Sequence, residues 1–221
     1  MARNPRNSLS AERIVSAAQQ LADRAGLDAV TMRNLARELG TRPMSLYHHI
    51  ATKDALLSAV VDSVFAEIFL PRADLPWRDE LAERARSMRT ALQRHPWALR
   101  VMETQRQPGR ASLANHEAVL EVLRRQGFDV RAAAHGYAVL DAFVYGFALQ
   151  ESVLTDAGFM DAPDDLAQGM DLAASPHIGE LAALYVASPA SPFEDSFDVG
   201  LTIVLDGVAR LAASSADENH G

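Results

Sequence analysis

Between positions 33 and 53, Arg33, Arg42, Tyr47, His48, His49 and Lys53 are among the side chains that could meet an anion. Guanidinium, phenol, imidazole and ammonium groups are all hydrogen-bond donors. That chemistry suits phosphate oxygens and, for a guanidinium fork, the O6 and N7 acceptors of guanine. Most of these residues lie in or beside LARELGTRPMSLYHHI (35–50), which stops at a glycine, turns, and restarts at a proline. Scattered donors act together only if short elements hold them on one face.

Two short amphipathic helices meet that requirement. Thr31 can cap the first, in which Met32, Leu35, Ala36 and Leu39 recur at i, i+3, i+4 and i+7. Gly40 ends it, and Pro43 suits the first turn of the next, where its missing N–H costs nothing. Helices over 32–39 and 43–49, joined by a short turn containing glycine, make a helix-turn-helix. The second is too short to stand on propensity, so Leu46 and Ile50 must hold it from beneath. Pro43, Met44, Ser45, Tyr47, His48 and His49 then face outward, in a form that fits a major groove. A plain helical hairpin with solvated histidines is the competing reading of the same spacing.

At these residues the chain resembles the DNA-binding region of the tetracycline-repressor (TetR) family. The resemblance is carried by GLDAVTMRNLARELGTRPMSLYHHIATKDALL (26–57). Its marks are the threonine before the second helix, L-A-x-x-L-G, the L-Y-x-H ending and the K-x-x-L-L start of the next helix. It extends weakly through RRQGFD and the closing F-x-x-G-L-x-x-x-L-D-G-V pattern (197–208). The resemblance implies that Thr31, Tyr47, His49 and Lys53 touch phosphates and that Arg33 reads a base. It places Pro43, Met44 and Ser45 at the groove-facing start of the recognition helix. Arg42, without a sure counterpart, is expected at a phosphate or base. Arg37 reads as a solvated helix face, and Arg3 and Arg6 as a leading arm.

The charge pattern agrees. The net charge is −8, yet residues 1–60 carry eight positive and five negative side chains, a net of +3, leaving −11 for the rest. A basic head and an acidic body point to different partners. With 48% hydrophobic residues the chain can bury a core, and with no cysteine it has no disulfide or thiolate chemistry. MARNPRNSLS does not read as a signal peptide, and no membrane span is expected, so the location is expected to be cytoplasmic. There is no P-loop, H-E-x-x-H, G-x-S-x-G or paired E-x-x-H motif, which argues against an enzyme. Adjacent His48 and His49 diverge by about 100° on a helix and chelate poorly, so neither a metal site nor a cofactor is expected.

The remaining pattern is helical. Ser10 caps a first helix that ends at Gly26, and Thr52 caps a fourth with Leu56, Val60, Val61, Val64 and Phe65 on its apolar face. LPRADLPW (70–77) is a break. Helices follow at about 77–94, 97–105, 111–126, 130–154, 177–187 and 193–213, with a long connection over 155–176 and a disordered tail, SSADENHG. The expected fold is all-α, with about nine to ten helices. A helix-turn-helix domain spans 1–52, a connecting helix 53–70, and a ligand-binding and dimerisation domain 71–221.

The long helices at 130–154 and 193–213 carry more apolar surface than one core needs, which suggests a two-fold interface with Gly146, Gly200 and Gly207 allowing close approach. The family resemblance implies a small-molecule pocket in the body. Its polar candidates are Glu103, Gln105, His116, Tyr137 and Asp141, with Trp97, Met102 and Phe147 as apolar wall. Where the tetracycline repressor places the histidine that meets its drug's magnesium, this chain has Glu103, which points away from tetracycline. The function that follows is a transcriptional regulator, a repressor that holds a palindromic DNA operator as a homodimer and is released by a small-molecule inducer. An all-α protein-interaction module is the alternative.

Overall fold

The computed structural model describes residues 9–102, 108–156, 174–187 and 192–218. Among them ten α-helices follow one another and no strand occurs. The chain forms two compact units, Met1–Val122 and Leu123–Gly221.

The first unit opens with α1 (Ala11–Ala25), α2 (Met32–Glu38), α3 (Pro43–Tyr47) and α4 (Lys53–Phe65). Each start is dictated locally. Ser10 Oγ accepts the Arg13 N–H at 3.3 Å, Thr31 Oγ1 that of Asn34 at 3.2 Å, and Thr52 Oγ1 that of Ala55 at 3.0 Å. Each threonine or serine thereby satisfies one of the donors that a helix start leaves open. Gly40 sits at φ 62°, a left-handed conformation that a side chain would resist, and turns the chain from α2 toward α3. A 3₁₀ turn over Leu27–Ala29, unforeseen in the sequence, fills the gap between α1 and α2.

Packing then decides which helices survive. Ile14, Ala18 and Ala22 of α1, Leu35 and Ala36 of α2, Leu46 of α3 and Leu56 and Val60 of α4 are all buried. The five residues of α3 fall well short of the ~12–15 that an isolated helix needs, so burial of Leu46 and Ile50 is what holds it. After the proline-flanked break come α5 (Trp77–Arg94) and α6 (Trp97–Met102), then α7 (Arg110–Arg125), within which the boundary of the two units falls. Arg72, in the break, donates from its backbone N to Glu80 Oε2 at 2.8 Å and from Nη2 to Glu80 Oε1 at 2.8 Å. That fork fastens the break to the first turn of α5.

The second unit contains α8 (Val130–Asp156), α9 (Pro176–Ala187) and α10 (Pro192–Glu218). Here α8 packs on α10, with Leu140, Val144 and Ala148 buried on one side and Phe197, Leu201, Leu205 and Val208 on the other. Phe143, Phe147 and Phe197 form a ring cluster with centroids 5.1–5.9 Å apart. Gly200 lies against the Phe143 ring of its own chain, so its small size serves this internal packing, whereas Gly146 and Gly207 face open space.

One expectation needs correction. The last helix runs on through Glu218, past the 213 expected, because SSADE contains no glycine or proline to stop it. Helix α8, long and apolar enough by composition over Val130–Val153 to cross a membrane and 39% buried there, overturns no expectation. Its buried stripe against α10 is that of a core helix.

Candidate nucleic-acid interface

The outward face of the first unit is assembled by three elements. On α3, Pro43, Met44 and Tyr47 are exposed and Ser45 is half-buried, while Leu46 alone points inward; the helix ends at Tyr47, short of the 49 expected, and His48 and His49 are exposed in the turn that follows. Met44 is 70% exposed, which in an apolar side chain leaves a methyl group free for a partner surface. Arg42, the residue before the helix, is exposed too. From α2, Arg33 is exposed, one residue after the buried Met32. Thr31 is half-buried, and its hydroxyl oxygen accepts the Asn34 N–H, which leaves its proton for an outside acceptor. From α4, Lys53 is exposed at the first helical position. The structure therefore puts all ten expected residues at or near the surface of one unit, with the apolar residues between them underneath.

Neighbouring polar groups fix the two supporting helices. Arg24 of α1 pairs with Glu38 of α2 through Nη2 and Oε1. Asn34 donates its amide to the Ala29 carbonyl at 2.8 Å, tying α2 to the 3₁₀ turn. Arg37 donates to Asn34 Oδ1 at 3.2 Å on an exposed face, consistent with its reading as a solvated side chain. Glu12, in the first turn of α1, has its carboxyl held below the usual range by its own backbone N–H, then by the Ser10 hydroxyl and the charge of His49.

Behind this face lies a polar cluster that sequence reasoning missed. One oxygen of Asp23, Oδ1, meets His95 Nδ1 at 2.7 Å and accepts the Trp97 indole N–H at 2.7 Å. A carboxylate cannot donate, so Nδ1 carries the proton. The other ring nitrogen of His95 meets Glu67 Oε1 at 3.2 Å and the Gln19 amide at 3.2 Å. Gln19 donates to Glu67 Oε1 at 2.6 Å and receives the Ser63 hydroxyl at 3.0 Å, and Arg94 pairs with Glu67 at 3.0 Å. This joins α1 to the end of α4 and to the α5–α6 corner. Partners 72 and 74 residues apart leave no signal in a single sequence.

The expected effector residues divide between the two units. Trp97, Met102 and His116 belong to the first. Trp97 is buried and spends its N–H on Asp23; Met102 is half-buried; the His116 ring stands edge-on to Phe65 at 5.7 Å. Tyr137, Asp141 and Phe147 belong to the second, where Asp141 is buried, Tyr137 is half-buried and Phe147 joins the ring cluster. Glu103 and Gln105 lie outside the described residues. Among the described residues no group of three or more histidines or carboxylates could hold a metal.

In the second unit, Val139, Leu149 and Val153 of α8 and Val199 and Ile203 of α10 are exposed large apolar side chains. Isolated exposed apolar residues are ordinary, but five on two packed helices resemble an interface core.

Comparison with known proteins adds the following. Residues 14–60 match the family model of bacterial regulatory proteins, tetR family, and residues 70–212 that of the tetracyclin repressor-like C-terminal domain. The chain is 32% identical to the HTH-type transcriptional repressor DrrR1 of Streptomyces coeruleorubidus, over 98% of this chain and 83% of the relative. It is 32% identical to the tetracycline repressor protein class A from transposon 1721 of Escherichia coli, over 89% of each. Among solved structures it is similar to the Streptomyces coelicolor protein ActR in complex with actinorhodin, with a TM-score of 0.75 at 30% identity, covering 93% of this chain and 99% of that one.

Proposed function

The chain belongs to the TetR family of bacterial regulators, and from that premise we propose how it works. It is a DNA-binding transcriptional repressor that holds a palindromic operator as a homodimer and lets go when a small molecule binds its body. Residues 1–52 form the reading head, 53–70 the connecting helix and 71–221 the effector and dimer body. Such a regulator works in the cytoplasm, where the DNA is.

One observation carries the reading: α3 turns a single side chain inward, Leu46, and offers the rest of its five residues to the outside. A helix so short is kept by a fold only for what its outer face does. Pro43, Met44 and Ser45 would meet base edges, with Arg33 forking onto guanine and Arg42 reaching a base or phosphate. Thr31, Tyr47, His48, His49 and Lys53 would set the register through phosphates. Two heads are needed, because one short helix buries too little to bind tightly. The exposed apolar face of α8 and α10 supports their pairing by two-fold symmetry. Trp97, Met102, Glu103 and His116 of the first unit and Tyr137, Asp141 and Phe147 of the second are the residues proposed for effector contact. The effector is a small molecule; its relative ActR is solved with actinorhodin.

Fluorescence anisotropy tests the reading with a duplex from upstream of the protein's own gene and a scrambled duplex, at two salt concentrations. Selective binding whose logarithm falls steeply with the logarithm of salt is expected. Equal affinity for both duplexes, in a protein shown by mass spectrometry to carry no small molecule, would count against it.

A further inference from the structure

Between α5 and α7 the first unit buries two side chains that an apolar core does not need. Arg84 is 0% exposed, and its Nε donates to Oδ1 of Asn115 at 2.7 Å. Asn115 is itself 1% exposed. A guanidinium can only donate, so this bond fixes which end of the carboxamide faces Arg84. The oxygen points at the arginine and the amide nitrogen Nδ2 points away. Nδ2 is buried and has no hydrogen-bond acceptor among the described residues.

A buried N–H without an acceptor has lost its hydrogen bond to water and gained nothing. Folded proteins carry few such groups, and each has a cause: a trapped water or a ligand that completes it. On the same helix faces, a turn or two from Arg84 and Asn115, Leu81 and Met88 of α5 and Val119 and Val122 of α7 are buried and apolar. On the reading that the body holds a small effector, we infer that Asn115 Nδ2 is the donor that recognises it. The effector class is an apolar ring molecule that presents an acceptor oxygen, a ketone or a carboxylate. Arg84 is a positioning residue: it holds the amide in the one orientation that aims the donor at the effector.

The test uses 1-tetralone and tetralin, one skeleton with and without the carbonyl, binding to the full-length protein by ligand-observed NMR. The expected result is about tenfold tighter binding of tetralone, the worth of one neutral hydrogen bond. In Asn115→Asp, which keeps an acceptor for Arg84 and replaces the donor by an oxygen, the preference is expected to vanish. Asn115→Leu should behave alike, and serves if the aspartate variant does not fold. Equal binding of the two compounds to the wild type would mean that a trapped water satisfies the amide, and would overturn the inference. So would a preference that survives in both variants, or binding of neither compound. Operator binding, measured on the same wild-type sample, separates this from a failure of the repressor reading: loss of operator binding sinks that reading, and intact operator binding without a tetralone preference sinks only the inference.

Discussion

The carboxylate of Asp62, on α4, holds the backbone of Ser112 at the start of α7. Oδ1 accepts the Ser112 N–H at 2.9 Å and Oδ2 accepts the Ala111 N–H at 3.1 Å. A helix α4 that carries the reading head at one end therefore also caps a helix of the body, with a negative charge at the positive end of the α7 dipole. The approach is so close that a Cβ on Gly109 would lie 2.2 Å from Asp62 Cγ.

From this pairing, Asp62→Ala should cost about 0.5–2 kcal/mol, the range for a lost N-cap. Gly109→Ala should also destabilise, by driving the carboxylate off the helix. The two costs should be less than additive, since Asp62→Ala removes the two nearest atoms the new methyl would strike, Cγ and Oδ1, and leaves only Cβ at 2.7 Å. Urea unfolding of the two single variants and the double variant measures this; full additivity would contradict it.

At the DNA face, Arg33→Ala should lose about 1–3 kcal/mol of operator affinity and relax one operator position. Lys53→Ala and Tyr47→Ala should weaken all sequences alike, and Lys53→Ala should lower the salt slope by about 1. A panel of operator duplexes, each changed at one position, distinguishes the two patterns in anisotropy.

Leu46→Ala touches no DNA, yet it should abolish operator binding. Truncating a buried leucine costs about 2–5 kcal/mol, and it leaves only Ile50 to hold a five-residue helix. Hydrogen exchange should show faster exchange over 43–50 with the α8 amides unchanged.

The Asp23 carboxylate oxygen receives two donors, from His95 and Trp97. Asp23→Ala leaves both buried donors without a partner, at about 1–3 kcal/mol each. In Asp23→Ala, adding Trp97→Phe should cost less than it does in the wild type, because the orphaned indole N–H goes with it. Chemical denaturation over the double-mutant cycle gives the coupling; zero coupling would mean that the indole bond contributes nothing.

Acid should loosen the junction before α5. The Arg72 guanidinium and backbone N–H hold the Glu80 carboxyl below its ordinary value, against the opposing effect of its burial. A depressed carboxyl stabilises the fold above its unfolded value, and that stability is lost as pH falls through the folded value. The loss is therefore expected below the usual carboxylate range. Denaturation midpoints from pH 7 down to pH 3 should fall less steeply in Glu80→Gln.

What the sequence revealed was what is decided within a turn or two. Ser10, Thr31 and Thr52 cap because the N–H groups they satisfy are three residues away, and all three were legible. Trp77–Arg94 was legible at both ends because prolines flank it. The outward set on α3 followed from one inward leucine. Asp62 on Ser112, or Asp23 on His95, joins residues 50 or more apart, and no local pattern announces such a pair. Trp97 shows the limit within one residue: an indole in a helical stripe was read as apolar wall, and its N–H proved to hold α1.

The division of labour inside α3 has a consequence for descent. Leu46 and Ile50 are buried beneath the helix, whereas Pro43 and Met44 are exposed and Ser45 is half-buried. On the proposed reading, substitutions at those three positions are expected to change what is read at less cost to folding than a change at Leu46. Duplicated copies of such a gene can therefore drift to new binding sites by single steps, without passing through an unfolded ancestor.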